Sequence, residues 1–441
     1  MIKEDVRMKK WAPRVLLAAA LAGLSAFLLK GDVWTFWTWW LLAFLMGMVA
    51  MPVTGRLFAG FEDKGWMFSK VLAITVTGFL TWFLVTAKIL PFTAATCIGV
   101  SVVCAVGCGV LYHFQGKNGI DCFPSGKVNL IYGEEILFFI FFLMWTYFAG
   151  FRPQAYGTEK FMDYGFMEAM MRSTTLPARD LWYSEGHINY YYGGQYFAVF
   201  LTKLSHTKVE LTYNLMRTFV AGLAFAMPFS LVYQMMSDRM KGLQKSEKVI
   251  KGLPFAAGFT AGTAVSIAGN MHYVIYAQII PLIEKLTGKE VSSYWFPDAT
   301  RYIGYNPYRE EDRTIHEFPC YSFVLGDLHA HVVNIMFVLL VIALLYVWLR
   351  GVRKKTVPVE TSMKDGKFWK EQLLMPHLLV ISALLGMFQW TNFWDFVIYY
   401  VVTLGTVLFA NIIRFQGKIK KIMVVTFAQM AEIYLLAYLV I

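Results

Sequence analysis

One polar segment of this chain combines an acidic residue with a triple tyrosine and a pair of glycines. Asp163 lies in the first turn of a helix predicted over residues 159–173, where a carboxylate can act as a general base or favour the helix N-terminus electrostatically. Farther along, the motif INYYYGGQ contains four side chains suited to binding a substrate: Tyr190, Tyr191, Tyr192 and Gln195. Tyrosines also anchor proteins at the membrane interface, so both interpretations of the motif stay open.

A second polar segment ends in GDLHAH, directly before an apolar run. Its Asp327, His329 and His331 are predicted to be catalytic, because such a cluster can hold a divalent metal ion or move a proton. Asp327 is equally suited to cap the helix that follows. Upstream, Arg301 and Arg313 are predicted to bind phosphate, since a guanidinium group pairs with two oxygens at once.

The motif TNFWDF places Trp394 and Asp395 on a short turn between two apolar runs. An acidic residue so close to a membrane is usually retained for function or paired with a partner. We therefore expect both residues to belong to the substrate-binding surface.

These motifs lie in a chain of 441 residues that is 57% hydrophobic and only 16% charged. Such a composition excludes an ordinary soluble protein and is typical of a polytopic membrane protein. The formal charge of +11 does not indicate nucleic acid, because the Lys and Arg residues lie mostly in short loops between apolar runs. The five cysteines show no pattern typical of a disulfide framework or a CxxC metal site.

Hydropathy predicts an all-α protein with about eleven transmembrane helices. The predicted spans are residues 14–29, 33–53, 66–87, 90–113, 130–151, 213–236, 253–269, 331–350, 373–391, 393–413 and 423–441. Residues 190–206 are apolar too, but a span there would put three basic loops outside. We therefore predict an interfacial or re-entrant helix at that point, a cytoplasmic N-terminus, and two long loops on the outer face of the plasma membrane, at residues 152–212 and 270–330. Because the apolar run stops at Ile441, we also expect a chain truncated at its C-terminal end.

The order of these parts resembles known membrane enzymes. A span, an acidic residue, a short helix, the turn PARDLW and an aromatic segment together resemble the first outer loop of the GT-C glycosyltransferases, which use lipid-linked sugar donors. The blocks EKFMDYGFMEAMMRS, INYYYGGQ, FPCYSFVLGDLHAHV and TNFWDF, in this order, resemble the YYY-type family of uncharacterised polytopic membrane proteins. The resemblance implies an N-terminal four-helix membrane region at residues 1–129, a GT-C-like core at 130–441, and Asp163 as the catalytic or metal-binding acid.

We therefore expect a glycosyltransferase that moves a sugar from a polyprenyl-phosphate donor to an acceptor at the outer membrane face. Asp163 would be the base, while the arginines and His329 or His331, with a divalent metal, would stabilise the departing phosphate. The alternative is a transporter or flippase of a lipid-linked or small polar substrate, which predicts ionisable residues near the middle of the membrane. The predicted spans contain few charges apart from Glu134 and Glu135, near the inner end of the fifth span, and this favours chemistry at the membrane surface. A metal-dependent hydrolase is a third possibility.

Overall fold

The computed structural model describes residues 2–124, 126–241, 243, 247–301, 313–353 and 363–440. Within these residues the regular elements are helices, and the pairing of Arg179 with His187 is an isolated β-bridge. The α-helices are α1 (Ile2–Leu29), α2 (Val33–Leu57), α3 (Trp66–Thr86), α4 (Ala94–Lys117), α5 (Val128–Ala149), α6 (Lys160–Arg172), α7 (Gly193–Ser205), α8 (Val209–Met240), α9 (Glu247–Ser266), α10 (Ile280–Leu286), α11 (Pro319–Leu325), α12 (Ala330–Arg353), α13 (Gly366–Leu373), α14 (Pro376–Thr391), α15 (Phe393–Phe415) and α16 (Ile419–Leu439). The prediction of an all-α membrane protein is confirmed.

The number of spans is smaller than predicted. Among the described residues, eight helical stretches are long and apolar enough to cross a membrane, or nine if α13 and α14, which meet at 52°, are one broken span. The first two predicted spans count as one stretch, Trp11–Leu57, and α9 does not meet the same criterion. The count of eleven is therefore not confirmed.

The long N-terminal stretch nevertheless reverses direction at its centre. Lys30 adopts a left-handed backbone conformation with φ of 49°, which interrupts the helix before α2 begins. The indole Nε1 of Trp37 donates to Ser25 Oγ at 3.1 Å, although a straight helix would separate these residues by about 18 Å. α1 and α2 thus form a helical hairpin.

The segment predicted to lie at the membrane interface is enclosed by protein instead. Residues 193–202 of α7 are all buried, and the Tyr196 hydroxyl donates to the carbonyl of Gly78 in α3. A Cβ atom at Gly193 would lie 2.5 Å from the Trp390 ring of α14. Glycine is therefore required at this position, because it lets α7 approach α14 closely.

The two long loops meet at one end of the bundle, which we call the site end. Thr158 Oγ1 donates to Asp327 Oδ1 at 2.5 Å, and Glu159 Oε2 lies 3.0 Å from His329 Nε2. Both long loops therefore contribute side chains to the site end.

The opposite end is rich in ion pairs. Arg350 Nε lies 2.6 Å from Asp238 Oδ2, and Lys127 Nζ lies 2.6 Å from Glu62 Oε2. These basic side chains lie at the end away from the two long loops.

Candidate functional site

Asp163 is the most unusual side chain at the site end. Its carboxyl group is completely buried on α6, and Oδ1 accepts a hydrogen bond from Gln195 Nε2 at 2.7 Å. Oδ2 has no hydrogen-bond partner among the described residues. Burial raises the pKa of Asp163 to about 7, and the nearby Asp327 and Glu159 carboxylates add to this effect while the Gln195 bond opposes it. A carboxyl group with such a pKa and a free oxygen is suited to accept a proton near neutral pH.

Gln195 connects the two loops through this acid. It lies in the first turn of α7, and its Nε2 donates both to Asp163 and to the carbonyl of Leu328 at 3.2 Å. The Gly193 and Gly194 pair allows α7 to approach α12 and α14 closely enough for this contact, since a Cβ at Gly194 would touch Val333 at 3.2 Å. Gln195 was predicted to bind substrate; in the structure its buried side chain holds the acid in place.

His329 and His331 form a hydrogen-bonded pair. Their Nδ1 atoms are 2.9 Å apart, while His331 Nε2 lies 3.3 Å from Glu317 Oε2 and His329 Nε2 faces Glu159. Each Nε2 needs a hydrogen to bond its carboxylate, and the Nδ1 contact needs one more. Three protons on four nitrogens give the pair a single positive charge. Burial lowers the pKa of His329, and the charge of His331 lowers it further, which agrees with one charged ring.

The predicted metal site does not form in this arrangement. Among the described residues, no group of three or more His, Cys, Asp or Glu side chains is placed to hold a metal ion. Asp327 accepts a hydrogen bond from Thr158. The two histidines contact each other through Nδ1, and their Nε2 atoms contact Glu159 and Glu317. Burial raises the pKa of Asp327, although the Thr158 hydroxyl and Lys160 oppose this.

The three tyrosines have different environments. Tyr192 is buried, and its hydroxyl accepts a hydrogen bond from Trp82 Nε1 at 3.0 Å, which indicates a packing role. The rings of Tyr190 and Tyr191 are half-buried and 4.0 Å apart, with the Tyr190 hydroxyl donating to that of Tyr191. The Tyr191 ring lies 6.2 Å from His329. Tyr190 and Tyr191 therefore border the histidine pair.

The remaining predicted residues make other contacts. The Arg301 guanidinium lies over the Trp295 ring and donates to the carbonyl of Pro297, and Arg313 is exposed. Asp395 Oδ2 accepts hydrogen bonds from Asn334 and Asn392, which join α12 to the corner between α14 and α15. The exposed Trp394 has 72% of its surface free. Among the contacts seen in the described part of the chain, none joins these four residues to Asp163 or the histidine pair.

Sequence reasoning missed a cationic cavity beside Asp163. The cavity has a volume of about 610 Å³, and Arg152, Lys160 and Arg217 line it. Its apolar wall includes Trp145, Phe148, Phe151, Tyr156, Phe296 and Phe323. Arg217 is a charge within the predicted span 213–236, and such a charge is usually functional, so the sequence did contain a signal for this cavity.

Two of the three cations of this cavity are buried in the fold. Arg217 is buried, and its guanidinium donates to Asn214 Oδ1 and to the carbonyl of Phe323. Lys160 is also buried, and its pKa is lowered by burial and by the charge of Arg217. Lys160 and Asp163 are three residues apart on α6 and therefore share one face of the helix. Lys160 lines the cavity, and Asp163 follows one helical turn later on α6.

A comparison with known protein families identifies the family of this chain. Residues 76–441 match the model of a family described as uncharacterized membrane protein, DUF2298. The chain belongs to this family. No curated protein matches the chain significantly, and neither does any solved structure. The DUF2298 match runs from the second half of α3 to the end, so it includes Asp163, the cationic cavity and both loops. Membership of this family, together with the apolar helices, establishes a membrane protein.

Proposed function

We propose that this protein is a membrane transferase that moves a sugar from a polyprenyl-phosphate donor to a hydroxyl acceptor. The observation that carries the proposal is the buried Asp163 carboxyl group, with one oxygen fixed by Gln195 and the other free, one helical turn from the cationic cavity. A base beside an anion-binding cavity is what transfer from a phosphate ester requires.

In the proposed reaction, the free oxygen of Asp163 accepts the proton of the acceptor hydroxyl. The acceptor oxygen forms a bond to the anomeric carbon of the sugar, and the bond from that carbon to the phosphate oxygen breaks. The polyprenyl phosphate leaves with an additional negative charge. Arg152, Lys160 and Arg217 stabilise this charge, because charge-assisted hydrogen bonds from cationic side chains to phosphate oxygens are strong.

The aromatic wall of the cavity suits the rest of such a donor. Its six rings offer apolar surface to the first isoprene units, while the cations lie where the phosphate would be. Tyr190 and Tyr191 offer stacked rings for a sugar on the side of the histidine pair. The single charge of that pair adds to the positive field around the phosphate.

The charge distribution supports an outer location for this chemistry. Lys127 and Arg350 lie at the end opposite the site, and the positive-inside rule assigns such an end to the cytoplasm. We therefore propose a plasma-membrane protein whose site end faces outward.

The experiment is a transfer assay on purified protein in liposomes with polyprenyl-phosphate sugars of several kinds. Asp163→Asn keeps the shape and removes the base, so we expect transfer to fall at least about 100-fold, in the usual range for loss of a general base. Glu185→Gln, an exposed carboxylate in the same loop, is the matched control and should leave transfer unchanged. Transfer by Asp163→Asn at the wild-type rate would exclude the proposed base.

A second pair of variants, one in the cavity and one on the surface, tests whether the cavity binds the donor. Lys160→Gln should weaken the binding of the donor, whereas Lys208→Gln, an exposed lysine at the start of α8, should not. Equal effects of the two changes would show that general surface charge, not the cavity, binds the phosphate.

A transporter of lipid-linked substrates remains the second candidate, because one observation favours it. Lys70 on α3 and Glu135 on α5 form an ion pair of 2.9 Å that is buried within the bundle. Ionisable groups that face the interior of a membrane helix bundle often mark transport pathways. Movement of the lipid-linked sugar across the liposome membrane without transfer would favour this function.

A further inference from the structure

A helix in the second long loop buries none of its residues within the described part of the chain. The π-helix Val274–Ile279 continues directly into α10, and no residue of either element is buried. Six of its large aliphatic side chains are exposed: Val274, Ile275, Ile279, Leu282, Ile283 and Leu286. An apolar surface of this kind is unfavourable in water and marks a contact with a membrane or another protein.

The length of the helix decides how it can meet a membrane. From His272 to Leu286 it contains 15 residues, which span about 22 Å at 1.5 Å per residue. A bilayer core is about 30 Å thick, so this helix is too short to cross it. It can only lie in the interfacial region.

Its surroundings favour lipid over a second protein. The helix follows α9, whose Phe255, Phe259 and nearby Ile267 are also exposed, so the two apolar surfaces are continuous along the chain. Tyr273 and Trp295 flank the helix, and both residue types are enriched where lipid headgroups meet the acyl chains.

The charged residues mark where the helix would leave the bilayer. Glu284 and Lys285 are the charged residues of the helix, and both lie in its last turn. Glu284 Oε2 accepts hydrogen bonds from the backbone N–H and the hydroxyl of Ser292, which turns the chain back toward the protein. The apolar residues before this point carry no competing charge.

We propose that residues 272–286 form an interfacial helix that inserts into the outer boundary of the lipid bilayer. His272 Nδ1 lies 3.3 Å from the Tyr294 hydroxyl, which joins the helix to the segment leading to Phe296. Phe296 lines the cationic cavity and stacks on Tyr321 at 4.7 Å. The inserted helix therefore holds this wall of the cavity at the level of the lipid headgroups. The inference stands independently of the proposed transferase activity.

The test uses the wild-type chain in liposomes of phosphatidylcholine that carries a photoreactive diazirine in its acyl chain. After irradiation, the labelled peptides are identified by mass spectrometry. We expect label in residues 272–283 and in the exposed face of α4 at Val102, Val103 and Val106, which is the internal control. The polar residues 287–293 should be unlabelled.

Two results would overturn the proposal. The first is labelled α4 with no label in residues 272–283, which would put the helix outside the bilayer. The second is equal labelling of residues 272–283 and of residues 287–293, which would show contact with lipid without insertion of the apolar helix. In a paired variant, Ile279→Glu with Ile283→Glu, the label in this segment should fall several-fold while that in α4 is retained, which separates loss of insertion from loss of folding.

Discussion

Replacing Asp163 with asparagine should make the protein more stable, although we expect it to abolish activity. The carboxyl group is completely buried, and its pKa rises from an ordinary value of 3.8 to about 7. A raised pKa means that the folded protein favours the neutral acid, so ionisation costs stability as the pH increases. At about 1.36 kcal/mol per pKa unit, the full penalty is about 4 kcal/mol. Asparagine is neutral at every pH and can still accept the hydrogen bond from Gln195.

Because the pKa of Asp163 is raised in the folded protein, ionisation lowers the stability only over a defined pH range. The penalty is absent below about pH 4, grows as the pH rises toward 7, and is constant above it. Asp163→Asn should therefore unfold at a higher temperature than the wild type at pH 8, and the difference should shrink to less than half at pH 5. Thermal unfolding in detergent micelles, followed by the intrinsic fluorescence of the tryptophans, measures both.

The control is Glu185→Gln, whose carboxylate is exposed and which should shift the midpoint at neither pH. A lower midpoint for Asp163→Asn than for the wild type at both pH values would refute the reasoning. In that case the ionised carboxylate would stabilise the contact between α6 and α7. Its burial would then not lower the free energy of unfolding.

Three further outcomes follow from the geometry. Gly193→Ala should lower the unfolding midpoint by an amount equivalent to about 1–3 kcal/mol, because its Cβ meets an indole ring at 2.5 Å, whereas Gly194→Ala, with 3.2 Å available, should cost less. Lys70→Met should cost about 3–5 kcal/mol by leaving Glu135 buried and unpaired, and the addition of Glu135→Gln should recover most of the loss in the same unfolding assay. Lys160→Gln should raise the concentration of polyprenyl phosphate that protects the protein against thermal unfolding, and protection at unchanged concentration would show that the ligand binds elsewhere.

The sequence predicted the long helices well because their signal is local. The apolar runs at residues 331–350 and 393–413 correspond closely to α12 and α15, since a run of that length has few alternatives to a helix in a membrane. The segment at residues 190–206 was placed at the interface, but it is enclosed by other helices. An apolar pattern cannot distinguish contact with lipid from contact with protein, because both environments accept the same side chains.

The candidate site was only partly predictable for a similar reason. Asp163 and Gln195 stood out by residue type in an apolar chain, and they are in contact. The cationic cavity takes Arg152, Lys160 and Arg217 from three separate elements, so no local pattern joins them. The histidines were recognised correctly as a cluster, but their spacing did not reveal that they would bond to each other instead of to a metal ion.

The enclosure of α7 also has a consequence for biosynthesis. Its glycine pair packs against Val333 on α12 and Trp390 on α14, and the ribosome makes both residues more than a hundred positions after α7. A nascent chain that has just produced α7 therefore has an apolar helix without the neighbours that will cover it. α7 cannot pack in its final position until α12 and α14 have been synthesised. Until then, lipid or the insertion machinery must cover its apolar surface. Assembly of the candidate site therefore cannot be complete before α12 and α14 have been made.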